Sequence, residues 1–388
     1  MTTAHTTLLA YPFHRTSPLE PPPELAELRA AGPLHRVRTA AGPAWLATRY
    51  DAVRELLSSP AFGTGYPGAL PTGADDLATG FMFLHDPPEH TRLRRSVSRA
   101  FTARRVAALG ERARAVAADL VAAMRAKGPG LDLQAEFAFP LPIAIVSELL
   151  GIPETDRARF AGWADIVLRP GEVPGDAGGA FHDLQHFAVA LVESKPDGPD
   201  LISDLLREDD GLSRIEVAAM ALGLVMAGYV TTASAIAHGM LRLLTTPGAL
   251  DALRSGRVGT ARAVEELLRL QDEEIGATRV ARSGVDLCGV RVEAGETVIA
   301  ARTGANRDPA VYRRPDVYDP SAERAPHLGF GHGVHHCLGA ALARMELTVA
   351  VDALLAGLPG LRPAVPAEQV RWSAPGMDVV IETLPVAW

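Results

Sequence analysis

Phe330-Gly331-His332-Gly333-Val334-His335-His336-Cys337-Leu338-Gly339 runs directly into the helix-like stretch Ala340 to Leu347. Glycines spaced around one cysteine let the backbone approach something flat. The cysteine stands just before a helix N-terminus, where the dipole and free N–H groups stabilise a thiolate, a ready metal ligand. Two other readings exist: a buried structural cysteine, or a zinc site that uses His332, His335 or His336 beside Cys337. Adjacent residues rarely supply several ligands to one tetrahedral ion and no second Cys/His cluster stands nearby, so zinc is the weaker rival.

Composition bounds what surrounds this stretch. The chain has 388 residues, 47% hydrophobic and 22% charged, with a net charge of −8. Disorder and a collagen-like chain are excluded, and so much apolar residue can fill a large core. The acidic balance argues against nucleic acid, which needs a basic surface. Two cysteines, Cys288 and Cys337, rule out a disulfide scaffold, and Met1 to Arg15 shows no apolar core behind a basic start. A reducing cytoplasm is therefore expected.

Val217 to Met240 carries no formal charge and is long enough to span a bilayer. Glycines at 223, 228 and 239, the polar set Thr231, Thr232, Ser234 and His238, and the lack of an aromatic belt favour a buried helix instead. Around it the pattern is helical near 89–99, 103–127, 141–150, 155–168, 180–195 and 199–207, with breaks at Pro and Gly clusters. Shorter helices are expected at Glu24 to Ala31, Asp51 to Leu57 and Ala261 to Leu270. Strands are expected at Leu34 to Thr39, Ala44 to Thr48, Val285 to Val292, Thr297 to Ala301, Val370 to Trp372 and Val379 to Thr383. Pro60 to Gly80 reads as a long loop of the kind that covers a ligand. The fold class is thus mainly α with small β-sheets. It has no parallel βαβ rhythm, which argues against a Rossmann or barrel enzyme.

With Phe330, Gly331, Gly333, His335, Cys337 and Gly339 all in place, the sequence resembles the cytochromes P450, haem-thiolate monooxygenases. The resemblance implies that Cys337 is the axial ligand of a haem b iron, whose electron donation favours O–O cleavage, and that His335 contacts a propionate. Other pieces follow in the family's order, so the resemblance covers nearly the whole chain. Glu266-Leu267-Leu268-Arg269 matches a Glu-x-x-Arg ion pair beneath the haem, although alone such a pair is usually just solvated. His85 to Arg94 resembles the stretch opening a helix over the haem edge, and places His90 and Arg94 four apart on one face as propionate donors. Arg279 matches a third such position, and Ala305-Asn306-Arg307-Asp308-Pro309 the stretch after it. The implied architecture is one domain over 1–388, with a long central helix over the haem. Its β-containing parts lie near 34–48, 285–301 and 370–383, and its helical core near 87–270 and 338–356.

Two departures stand out. The family's third partner for Glu266 and Arg269 is an arginine three residues after the position of Asp319, but Ala322 stands there, which leaves Arg324 to take the role. In the long helix, Ala227-Gly228-Tyr229-Val230-Thr231-Thr232 resembles the oxygen-activation segment, and Val230 replaces the acid that normally precedes the threonine. Thr231 in mid-helix can bond back to the Ala227 carbonyl and open a kink, and Gly228 leaves room for dioxygen. Valine cannot relay protons. Delivery by water or substrate, hydrogen peroxide in place of dioxygen, or a radical coupling or desaturation are the three consequences.

Val225, Met226, Tyr229 and Val230 on that helix, Met82 and Phe83 in the loop from Phe62 to Phe83, Ile275 and Met377 are the expected substrate contacts. Their apolar character suggests a hydrophobic or aromatic specialised metabolite, for example a cyclic dipeptide. Arg92, Arg94, Arg95, Arg99, Arg104 and Arg105 form a basic cluster suited to an acidic ferredoxin, and an individual arginine there also reads as part of a solvated helix face. A ferredoxin and its reductase are the implied electron donors, to a cytoplasmic monomer with no membrane or nucleic-acid partner. A peroxygenase, or a haem-binding recruitment protein without activity, are the competing functions. Retention of Cys337, Thr231 and Gly228 speaks against the latter.

Overall fold

The computed structural model describes residues 8–64, 77, 80–168, 173–207, 211–272, 276–323, 325–373 and 379–388. The expectations at Ile275, Arg324 and Met377, and much of the loop before Phe83, lie outside them. The chain divides into two compact units: Met1–Tyr66 with Glu265–Cys337 and Trp372–Val380, and Pro67–Val264 with Leu338–Arg371 and Ile381–Trp388.

The first unit is built on a six-stranded sheet in the spatial order Leu9–Ala10, Leu34–Thr39, Gly42–Ala47, Thr297–Ala300, Ala277–Ala281, Phe62–Thr64. Leu34–Thr39 and Gly42–Ala47 form the antiparallel hairpin expected from their turn residues, with Leu34 opposite Ala47. Successive strand side chains point to opposite faces, so the sheet carries two cores. Val298 and Ala47 join Leu34, Val53 and Leu56 on one side; their neighbours Ile299 and Leu46 join Tyr11, Phe13 and Val37 on the other. The alternating run at 285–292 is a hairpin of two short strands, Val285–Leu287 and Val290–Val292, rather than one strand. Its two turn residues, Cys288 and Gly289, have φ of 50° and 80°, the left-handed pair that a tight hairpin demands.

The second unit is helical. Ala103–Lys127 starts where Thr102 Oγ1 accepts from the Arg105 N–H (3.3 Å), and buries Leu109, Ala113, Ala117, Val121 and Met124 in one stripe. That stripe packs on Ala340–Gly357, which lies where the helical core near 338–356 was expected. Helix starts shift wherever an aspartate caps. Asp176 Oδ1 accepts from Gly178 N (3.1 Å), so a helix begins at Ala177, and Asp200 Oδ1 accepts from Ser203 N (3.0 Å), so the next begins at Leu201. A reciprocal capping box of Ser213 and Glu216 opens the long helix. This helix is long and apolar enough to cross a membrane, but 67% of its most apolar window is buried inside the protein. It is also not continuous: Arg214–Gly228 and Val230–Thr245 meet at a break on Tyr229.

Candidate functional site

In the first unit the cysteine loop is fixed by backbone bonds. Gly331 N donates to Leu328 O (2.8 Å), His336 N to Gly333 O (3.1 Å) and Cys337 N to Phe330 O (2.8 Å), which closes a compact loop with Cys337 at its exposed end. Gly333 is obligatory: its φ is 72°, and a Cβ there would stand 2.4 Å from Leu57 O, so the loop lies directly on the end of the helix Tyr50–Ser58. A Cβ at Gly339 would meet nothing within 4 Å, and one at Gly331 only His335 O at 3.9 Å. Both glycines border open space where a planar ring can lie against bare backbone, so the loop fits a haem with a thiolate as its iron ligand.

The neighbouring side chains argue against a zinc site. His332 Nε2 accepts from Arg54 Nε (3.3 Å), and burial together with the Arg54 cation lowers the ring's pKa. Among the described residues no group of three or more His, Cys, Asp or Glu is placed to hold a metal ion. The other cysteine, Cys288, donates to Glu55 Oε2 (3.3 Å); burial, then that carboxylate, pushes its thiol up to about 12. It is therefore a protonated thiol at neutral pH.

Glu266 and Arg269 are 3% and 1% exposed, on the last turns of the helix Thr260–Leu270. Arg269 donates from Nε and Nη2 to both Glu266 oxygens (2.8 Å each), and from Nη1 to the carbonyls of Asn306 (2.8 Å) and Pro315 (2.6 Å). Its guanidinium lies 5.1 Å over the Tyr312 ring. Glu266 Oε1 also accepts from the Asp319 N–H (3.0 Å), and Arg324, the arginine expected to join this pair, lies outside the described residues. In the same unit Arg279 is 7% exposed on the strand Ala277–Ala281, bonded to Thr278 O (2.8 Å), and His335 is half-buried.

In the second unit the break at Tyr229 has the chemistry read from the sequence. Thr231 Oγ1 donates to Ala227 O (2.6 Å), the back-bond one turn earlier that a threonine in mid-helix can make. Ala227 and Thr231 are exposed on this largely buried helix, and with the half-buried Leu224 and Gly228 they form an outward stripe at the i, i+3, i+4, i+7 spacing of one face. Met226 and Val230 flank it, half-buried. Val225 and Tyr229, each 1% exposed, lie on the other side. The Tyr229 ring packs 5.6 Å from Phe139, and its hydroxyl donates to Asp165 Oδ1. The expected contact set therefore divides, and Leu224, which sequence reasoning passed over, belongs to the outward stripe. Counting back seven from Thr231 would have found it.

The segment carrying Met82 and Phe83 lies on the same helix. Gly80 makes this possible, since a Cβ there would sit 2.5 Å from the Ala219 Cβ and 2.7 Å from Glu216 O. Phe81 and Phe83, 5.4 Å apart, rest over Gly223, and Phe83 stays 38% exposed. Gly223 shares a face with Ala227 and Val230, so loop and helix present one apolar surface beside the Thr231 hydroxyl.

His90 is 2% exposed and Arg94 half-buried, one turn apart on Glu89–Ser98. Of the basic cluster, Arg92 is bound to Glu89 and Glu216, and Arg105 to Asp204. Those ion pairs hold the arginine well above its usual value at Arg92, chiefly through Glu89. Arg95, Arg99 and Arg104 are exposed.

Residues 260–357 match the family model described as Cytochrome P450. The chain is 40% identical over 380 residues to the cytochrome P450 monooxygenase PikC of Streptomyces venezuelae, covering 95% of this chain and 91% of that protein. It is 38% identical to the nocardicin C N-oxygenase of Nocardia uniformis subsp. tsuyamanensis, covering 98% of each. Among solved structures, the LnmA cytochrome P450 hydroxylase from the leinamycin biosynthetic pathway of Streptomyces atroolivaceus S-140 superposes with a TM-score of 0.90 at 39% identity, over 98% of this chain and 100% of that one.

Proposed function

Because the chain belongs to the cytochrome P450 family, a family of haem enzymes, we propose that it oxidises a hydrophobic or aromatic specialised metabolite with dioxygen and electrons from a ferredoxin. The reaction is a hydroxylation or an oxidative C–C or C–N coupling, and the enzyme works in the cytoplasm. The observation that carries this reading is the exposed thiol of Cys337 on a loop whose geometry is set by three backbone bonds. Bound there, haem supplies dioxygen activation. The protein's part is to hold it: Cys337 as the thiolate ligand, and His335, Arg279, His90 and Arg94 as cationic partners for propionates.

Thr231 keeps a hydroxyl beside the Ala227 carbonyl, and Gly228 adds no side chain to that face. Substrate rests on the apolar surface of Leu224, Met226, Val230 and Phe83, which offers no charge and so selects apolar ligands. Arg95, Arg99 and Arg104 attract an acidic ferredoxin. The test is the absorption spectrum of the reduced protein with carbon monoxide, followed by a metabolite screen for a spin-state shift of the haem band. A thiolate-type band that Cys337→Ser abolishes supports the assignment, and a histidine-type band in the unaltered protein overturns it. Val230 in the acid's position favours a second reading, a peroxygenase, supported by turnover with hydrogen peroxide and no reductase.

A further inference from the structure

His182 and His186 stand one turn apart on the outward face of the helix Ala177–Glu193, both exposed. Their Nε2 atoms are 2.9 Å apart and their ring centroids 4.2 Å apart. We propose that this pair is a chelating site for a divalent transition-metal cation of the copper(II) or nickel(II) class. It plays no part in the oxidation chemistry described above.

When one neutral imidazole donates its Nε2–H to the other's Nε2, moving that proton to its own Nδ1 through the solvent leaves two Nε2 lone pairs that a single cation can accept. The distance also selects the geometry. With metal–nitrogen bonds of about 2.05 Å, two nitrogens 2.9 Å apart subtend about 90° at the metal. That is the cis angle of a square-planar or octahedral centre, which copper(II) and nickel(II) prefer. Tetrahedral zinc would need the nitrogens roughly 3.3 Å apart.

The scaffold holds both ligands in place. Phe181, Leu184, Ala188 and Leu191 bury the inner face of this helix, and the Asp176 side chain caps its start, so the turn from His182 to His186 is an outward ridge on a fixed support. Asp183, exposed between them in sequence, adds negative charge nearby. The cation on the neighbouring helix, Arg159, is paired with Asp156 (2.9 Å) and stacked 5.1 Å over Trp163. Among the described residues no third ligand completes a protein cage, so water or an added ligand fills the remaining positions.

The test is calorimetric titration of the haem-loaded protein with copper(II) chloride and with nickel(II) chloride, on wild type, His182→Ala, His186→Ala and the exposed control His14→Ala. The second imidazole binds as an intramolecular ligand, so losing either partner weakens binding by about 10²-fold, while the control keeps wild-type affinity. Electron paramagnetic resonance of the copper complex shows a tetragonal centre coupled to two nitrogens, and either substitution removes the two-nitrogen pattern. Affinity unchanged by both substitutions, a loss from only one of them, or a copper spectrum without two coupled nitrogens overturns the proposal. An unaltered carbon monoxide difference spectrum in each variant verifies that it is folded.

Discussion

The Tyr229 phenol donates to Asp165 on the helix Glu154–Leu168, and Tyr229 is also the residue at which the long helix breaks. The bond fastens the break to a second helix, while the ring, 1% exposed, wedges against Phe139. Tyr229→Phe keeps the packing and leaves the half-buried Asp165 carboxylate without this donor, a loss of about 1–2 kcal/mol. Urea unfolding with an unchanged slope and a lowered midpoint is the expected result. A midpoint equal to wild type would mean the bond adds nothing to stability.

Thr231 holds the Ala227 carbonyl with its hydroxyl. Thr231→Ala removes the only side-chain hydroxyl of the outward stripe, whereas Thr231→Ser retains it. Product formation by the alanine variant falls by about 10²-fold, the lower end of what a positioned proton-transfer group contributes, and electrons are diverted to peroxide. The serine variant recovers most of the activity. Equal product per electron in all three proteins would remove Thr231 from proton delivery.

Val230 flanks the same stripe, half-buried. Val230→Glu places an acid one residue before the threonine and within the apolar surface. The fraction of reductant lost as peroxide changes on the true substrate, and hydrophobic ligands shift the haem band less because a charge now interrupts their contact. Unchanged coupling would show that this position does not control protonation.

The buried Glu266–Arg269 pair is bonded to backbone groups of Asn306, Pro315, Val317 and Asp319. Breaking such a pair from one side strands a buried charge, at about 3–5 kcal/mol. Arg269→Ala is therefore expected to give little folded, haem-loaded protein. Arg269→Lys fares only partly better, because an ammonium cannot grip both carboxylate oxygens and a carbonyl at once. The folded yield and the carbon monoxide spectrum measure both effects. Wild-type yield from Arg269→Ala would show that the network is dispensable.

These contrasts show what local sequence carries and what it does not. Spacing sufficed for Glu266 with Arg269 and for the Thr231 bond to Ala227, because each partner lies within about one helical turn. The Asp165 partner of Tyr229 is 64 residues away, and no local pattern points to it. The choice between Val225 with Tyr229 and Leu224 with Ala227 as the outward face was hidden for another reason. Both stripes are apolar, so hydrophobic periodicity falls silent on a helix buried nearly all round. Helix starts were misplaced where Asp176 and Asp200 end a loop with a side-chain cap, and the hairpin at Cys288 was missed because a non-glycine residue adopts the left-handed turn.

Glu346 gives a pH signature. It is 2% exposed in the middle of Ala340–Gly357, its Oε2 has no hydrogen-bond partner among the described residues, and burial raises its carboxyl well above the usual 4.5. Below the usual value the folded and unfolded chains both hold the proton, and the group is indifferent to stability. Above it the unfolded chain ionises while the folded chain keeps its proton, so stability falls with rising pH. The slope is at most about 1.4 kcal/mol per pH unit, until the folded-state value is reached. Glu346→Gln keeps the shape and removes the titration. Urea unfolding of both proteins between about pH 5 and 8 should show the variant gaining on wild type as the pH rises. A constant difference across that range would mean that Glu346 is ionised in the folded protein.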